Sequence, residues 1–334
     1  MKFDRVHRSL SRRRENLRKA LRGWVPRQPR PVILMYHRIV EESFDPWGTA
    51  VSPAHFAGHL EWLSRNRTVL PLARFVELHR SRSLPNDAVA ITFDDGYRCN
   101  VEVAAPLLDE FGIPATIFLP VEWIEKGKSY WWDELEEIVL THEGESLFVD
   151  EQMFAIGQKS PADRRWKFGC GPRTARQAAF NVICRHLSSS HPNDVERVMR
   201  ELRAQSGAHY QPAPSRRPMS VTDAGMLGRP LIEFGSHAVR HPWLPCLSAA
   251  EKDAEIRNSR ERCWQITGEL PAAFAYPFGQ LDKEAEALVL DAGYLCAVST
   301  EDAPVAETSR VSALPRVHVP DSSVAELKRR LRSL

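Results

Sequence analysis

The run Ile91-Thr92-Phe93-Asp94-Asp95-Gly96-Tyr97 sets two carboxylates side by side at the end of an apolar stretch. Burying neighbouring like charges is costly unless a cation or hydrogen-bond donors compensate them, so the pair implies a site. A second run, Phe234-Gly235-Ser236-His237-Ala238-Val239-Arg240-His241-Pro242, spaces two imidazoles four residues apart. That spacing predicts both rings on one side of a helical turn, within reach of a single metal ion. Together with Asp95 they would form a set of two histidines and one carboxylate. Three protein ligands leave a coordination position for water, which suits hydrolysis. Each run also has a plain alternative: Asp-Gly is an ordinary turn or cap signal, and HxxxH occurs among surface histidines. What links the two is context, for each follows an apolar, strand-like run, Ala88 to Phe93 and Pro230 to Phe234.

The TFDDG segment at 92–96, SHxxxH at 236–241 and AYPFG at 275–279 resemble the successive motifs of the polysaccharide deacetylases with a NodB-like catalytic domain, carbohydrate esterase family 4. LMYHRI at 34–39 is most similar to the branch that acts in exopolysaccharide synthesis. The resemblance covers about residues 31–125 and 225–320, not the middle. It implies that Asp94 is the general base, that Asp95, His237 and His241 hold one divalent metal, and that the Phe278 backbone N–H faces the oxyanion. Pro277 has no N–H, which fixes the amide concerned. Tyr97 and Tyr276, within these motifs, are expected on the substrate side.

The general acid stays open between His37, in LMYHRI, and His318, in PRVHV. The motif match favours His37, because Arg316 stands where the better-known branch has leucine. Many relatives begin the third motif with an arginine that pairs with the catalytic Asp, whereas this chain has Ala275; Arg316 is expected to supply the missing guanidinium. Zinc suits the donor set, and cobalt, nickel or iron fit similar sites.

The elements that must position these groups alternate. Pro31 to Tyr36 reads as a strand, Ser52-Pro53 opens a helix, and 88–93 and 115–119 are strands around a helix across 103–111. The rhythm returns at 230–235, with helices capped by Ser248/Glu251 and Ser323/Glu326. About seven strands result, and His37, Asp94, Asp95, His237, His241 and Phe278 all fall at their C-terminal ends. In a β/α barrel that is the face where sites form. The reading is therefore an α/β protein, and the resemblance implies a distorted, TIM-like (β/α)7 barrel over 31–334. A mainly helical insertion interrupts it at about 123–225, and Trp131 and Trp132 near its start suit either sugar stacking or helix packing.

The 334 residues, 43% hydrophobic, suffice for a sizeable core. Net charge is +2, but residues 1–30 hold eleven Lys or Arg against Asp4 and Glu15, +9 in all, leaving −7 for the rest. Phe3, Val6, Leu10, Leu17, Leu21 and Trp24 recur at helical spacing there, predicting a basic amphipathic helix able to lie on an anionic membrane. Six scattered cysteines and the absence of a long apolar run predict a cytoplasmic protein, and the basic helix leaves two readings open, peripheral contact with the inner membrane or a helix packed on its own domain or partly disordered. No nucleic-acid fold accompanies the basic segment. The expected function is metal-dependent removal of acetyl groups from N-acetylated sugars of a polysaccharide or its precursor. Its rivals are a deacylase of lipid-linked sugars, an O-acetyl esterase and a non-catalytic glycan-binding protein.

Overall fold

The computed structural model describes residues 28–207, 213–227 and 230–334. The helix expected over residues 1–30 lies outside them but for its last three residues. Seven parallel strands carry the fold. β1 (Val32–Tyr36), β2 (Ala88–Phe93) and β3 (Ala115–Leu119) are buried at every position, as strands covered on both faces must be, and apolar but for Thr92 and Thr116, whose hydroxyls are hydrogen-bonded. β4 (Ile232–Ser236), β5 (Ala273–Ala275), β6 (Cys296–Val298) and β7 (Val317–His318) complete them. Their spatial order is β6-β5-β4-β3-β2-β1-β7, so the two halves of the chain meet where β3 pairs with β4. Between β6 and β7 the gap is spanned by a parallel bridge from Val298 to Leu314. This is the expected distorted (β/α)7 barrel.

The covering helices begin where the sequence supplies oxygen caps. Ser52 caps α1 (Pro53–Asn66), with proline at its first position. α2 (Ala105–Phe111) stops at Gly112, which adopts φ +63°. Within the span expected as an insertion the chain builds α3 (Trp131–Thr141), α4 (Ala175–Ser188) and α5 (Pro192–Ser206), while Ile124 before them and Met219 and Ala224 after them belong to the barrel core. The three helices pack around a core of their own, with Leu135, Ile138, Phe180, Ile183 and Leu202 fully or almost fully buried. An antiparallel hairpin, Ser146–Val149 with Gln152–Ala155, joins them. It turns on Asp150 and Glu151, both at positive φ, a pair without the Asn-Gly or Asp-Gly signature of such turns. α6 (Ala249–Thr267), α7 (Lys283–Asp291) and α8 (Val324–Ser333) return to the barrel. Capping boxes from Ser248/Glu251 and Ser323/Glu326 start α6 and α8. None of the six cysteines pairs. Among the described residues no helix is long and apolar enough to cross a membrane.

Candidate metal centre and catalytic cavity

The strand ladder carries each motif to the same rim. Asp94 N–H continues the β1–β2 pairing onto Tyr36 O at 3.0 Å, and His237 N–H bonds Leu119 O at 2.9 Å beyond β4. Asp95 then turns into the left-handed region at φ +68°, which swings its carboxylate away from that of Asp94. Ala238, His241 and Phe278 are also at positive φ, so four of the seven non-glycine residues in this conformation among the described residues surround one point. Such residues cost about 1–3 kcal/mol each and persist where the surroundings hold them.

The turn bearing the two histidines is not helical, contrary to the expectation from HxxxH spacing. Residues 237–241 form an irregular loop, kinked at Ala238 and His241, and Glu255 of α6 holds it. That carboxylate accepts Val239 N–H at 2.8 Å and Arg240 N–H at 2.9 Å, and pairs with Arg240 Nε at 2.7 Å. Backbone kinks, not helical phase, bring the rings together.

Asp95, His237 and His241 present ligand atoms to a common point. His241 Nε2 lies 3.2 Å from His237 Nε2 and 3.4 Å from Asp95 Oδ1, and His237 Nε2 lies 3.6 Å from the same oxygen. Zinc with nitrogen or oxygen ligands near 2.1 Å in a tetrahedral shell separates them by about 3.4 Å, so the triangle fits such an ion. His237 Nδ1–H donates to Ala275 O at 2.7 Å, which leaves Nε2 as the free lone pair. Burial, then the adjacent Asp94 charge, push the Asp95 carboxyl well above the usual range, while burial lowers both imidazoles. A cation at the centre is what would let this carboxylate stay charged.

Asp94 stands outside the triangle. Arg316 donates to it in a fork, Nη1 to Oδ1 at 2.7 Å and Nη2 to Oδ2 at 2.6 Å, and both side chains are buried. Burial alone would raise the Asp94 carboxyl, but Arg316, helped by His237, holds it well below the carboxylate range. Arg316 Nε is anchored on Ser299 O at 2.9 Å, and the guanidinium lies over the Phe118 ring. Arg316 makes this fork from the loop just before β7, not from β5, which carries Ala275.

His37 lines the cavity above these groups, and its Nδ1 is buried with no hydrogen-bond partner among the described residues. Burial pushes this imidazole down to about 3. His318 points elsewhere: Nε2 donates to Gly48 O at 2.9 Å and the ring faces Phe168. Phe278 occupies the Pro277–Gly279 turn, whose internal hydrogen bonds come from Gly279 and Gln280 and leave its own N–H out of them. Its ring sits 4.5 Å from that of His241. Tyr97 borders the cavity, but Tyr276 does not, contrary to its expected place beside substrate. It is a core residue, packed on Phe274, with its hydroxyl spent on Ser312 O at 2.8 Å.

The insertion forms the roof, which motif spacing could not reveal. Tyr130 is fully buried and its hydroxyl donates to the backbone carbonyl of Asp95. Trp132 stacks on Tyr130 and approaches His241 at 4.9 Å, and its Nε1–H reaches Tyr97 Oη at 3.0 Å. Tyr97 in turn donates to Asp133 at 3.1 Å. The only sequence signal for this roof is the density of aromatic and acidic residues in Tyr130-Trp131-Trp132-Asp133.

The polysaccharide deacetylase family model matches residues 81–144 and 224–297, the two stretches that bring Asp94, Asp95, His237 and His241. Over 89 residues the chain is 36% identical to YxkH of Bacillus subtilis (strain 168), whose name assigns it to the polysaccharide deacetylases; the match spans 26% of this chain and 30% of that protein. Over 97 residues it is 31% identical to the poly-β-1,6-N-acetyl-D-glucosamine N-deacetylase of Escherichia coli (strain K12), spanning 28% of this chain and 14% of that one. The chain thus matches less than a third of either relative's length. In fold it resembles the Streptococcus pyogenes deacetylase PplD, with a TM-score of 0.59 at 16% identity over 91% of this chain and 99% of the other. IcaB from Ammonifex degensii gives 0.55 at 15% identity over 91% and 97%.

Proposed function

We propose that this chain, which the polysaccharide deacetylase family model matches over residues 81–144 and 224–297, hydrolyses the acetamido group of N-acetylated sugars in a polysaccharide or its precursor. The observation that carries this reading is a triangle of ligand atoms, from Asp95, His237 and His241, beside a carboxylate held apart from it by Arg316. A divalent ion held by the three, zinc by the character of the donors, would lower the pKa of water and polarise the acetyl carbonyl.

The chain's own residues divide the remaining work. Asp94, kept charged and aligned by the Arg316 fork, takes a proton from the attacking water. The Phe278 N–H, exempt from its turn's hydrogen bonds, donates to the oxygen on which negative charge develops. His37 delivers a proton to the departing amine as the C–N bond breaks, giving acetate and a free amino sugar. Because burial keeps His37 neutral at rest, the proton it hands over is the one Asp94 took from water, passed on in the same turnover so that Asp94 returns to its carboxylate form. His318, tied to Gly48, is assigned a structural part. The roof residues Trp132 and Tyr130 shield the centre from bulk water.

The test is acetate release from a panel of N-acetylated oligosaccharides and lipid-linked N-acetyl sugars, with bound metal measured in parallel. Asp94→Asn should lower turnover by about 10²–10⁴-fold or more while metal content is unchanged. His237→Ala should lose metal and turnover together. Wild-type rates in Asp94→Asn would remove the base from this reading, and no acetate from any substrate with zinc, cobalt, nickel or iron would remove the reading itself.

A further inference from the structure

The cavity above the metal ligands has a volume of about 260 Å³. Typical small-molecule sites run from about 300 to 1,000 Å³, so this one suits a single sugar ring. One wall is the barrel rim, with Asp94 and the ligand triangle. Facing it, the insertion contributes Asp133 and Glu136 from successive turns of α3, and Arg38 enters from just beyond β1. Charged groups at 3–6% exposure beside a catalytic cavity need an explanation.

Part of the cluster is a clip. Arg216, from the end of the insertion, pairs with Glu136 at 2.7 Å and donates to Phe44 O, which fastens the insertion to the barrel loop. Asp133 and Arg38 are used differently. Among the described residues Asp133 accepts one hydrogen bond, from Tyr97, its other oxygen is 3.5 Å from Arg216, and the nearby Arg38 charge partly compensates it, although a carboxylate offers about four acceptor sites. Arg38 reaches Glu42 at 3.2 Å, Thr49 at 3.3 Å and Asp45 at 3.5 Å, all long contacts, and its buried Nε has no hydrogen-bond partner among the described residues. Underused acceptors and donors in a buried wall are costly unless something completes them.

From this we infer that Asp133 and Arg38 are specificity-determining residues that read hydroxyl groups of the sugar whose acetamido group lies at the metal ligands. A pyranose hydroxyl both donates and accepts, so it can donate to Asp133, whose Oδ1 has only the long contact with Arg216, and accept from the guanidinium of Arg38, whose own contacts are long. The ring's apolar face has Trp132 to lie against. The proposal rests on the deacetylase reading and adds that sugar selectivity resides in the insertion and in Arg38, not in the residues that break the bond. Tyr97 links the halves of this device, since it joins Asp133 and Trp132 to the loop that carries Asp95.

The test compares kcat/KM for a methyl N-acetylglucosaminide and its 3-deoxy, 4-deoxy and 6-deoxy analogues, in wild type and in Asp133→Asn. Wild type should disfavour at least one deoxy analogue by about 100-fold or more, as a site built to bond a hydroxyl rejects the compound lacking it. In Asp133→Asn that penalty should shrink to within about threefold while the parent substrate falls, a non-additive cycle that a loss of folding stability would not produce. Calorimetric binding of the same pair to Asp94→Asn and to Asp94→Asn/Asp133→Asn should show the same collapse without turnover. Should Asp133→Asn fail to fold, Arg38→Lys is put through the same cycle. Equal losses for parent and analogue, or wild type accepting every analogue within threefold, would overturn the inference. Wild type releasing no acetate from any of them or from the wider panel would instead remove the deacetylase reading beneath it.

Discussion

Asp94 is a carboxylate kept charged inside the protein by one guanidinium, and its availability as a base depends on that pairing. Arg316 reaches it from the loop before β7, anchored by Ser299 O and the Phe118 ring, so geometry and charge are set together. Removing one member of a buried pair strands the other, at about 3–5 kcal/mol. Arg316→Met should therefore lower stability by that amount in chemical denaturation and reduce acetate release to the level of Asp94→Asn. The double variant Arg316→Met/Asp94→Asn should regain much of the stability and none of the activity. Arg316→Lys keeps the charge but not the fork, and should fall between wild type and Arg316→Met. Wild-type turnover in Arg316→Met would show that Asp94 needs no such partner.

At the level of elements, close approach of β3, β4 and β5 decides where His237 stands. Gly235 lies in β4, and a Cβ there would meet the Phe118 ring at 2.3 Å and Ala273 O at 3.1 Å. Phe118 also supports Arg316 and lies near the His237 ring, so one missing side chain lets a single aromatic serve both the partner of Asp94 and a proposed metal ligand. Gly235→Ala forces overpacking worth about 1–3 kcal/mol. The expected result is a lower denaturation midpoint together with weakened zinc binding, measured by competition with a chelator. A destabilised variant with unchanged zinc affinity would mean that the strand shift does not reach His237.

For the molecule as a whole, the insertion is a second cored body that completes the site. Its own frame hangs on Arg176, fully buried, which donates to the carbonyls of Val139, His142, Gly144 and Gly157 and so ties the end of α3 to the hairpin. Those four acceptors have nothing to replace it, and each unsatisfied buried group costs about 1–3 kcal/mol. Arg176→Met should loosen residues 123–225 selectively. Limited proteolysis should then cut within that span while the barrel fragments survive, and acetate release should fall because Tyr130, Trp132 and Asp133 no longer cover the centre. Uniform resistance to protease with full turnover would show that the insertion is held by its apolar core alone.

The sequence by itself determined an α/β chain of parallel strands, because fully buried parallel strands must be written as continuous apolar runs, and it determined the cluster of polar residues at their ends; that the strands form a barrel was implied by the resemblance. The Ser248/Glu251 and Ser323/Glu326 caps were legible for a similar local reason. The arrangement of the histidines was not: HxxxH suggests a helix, whereas kinks at Ala238 and His241, secured by Glu255, set the rings. Tyr276 lies in the third motif beside Phe278, yet packing turned its ring into the core. The pairing of Asp94 with Arg316, more than two hundred positions apart, was expected only by way of the family resemblance, and the contacts that fix Tyr130, Trp132 and Asp133 over Asp95 and Tyr97 were not expected at all. Such contacts carry no local period or spacing, so the folded chain alone decides which distant side chains meet around one point.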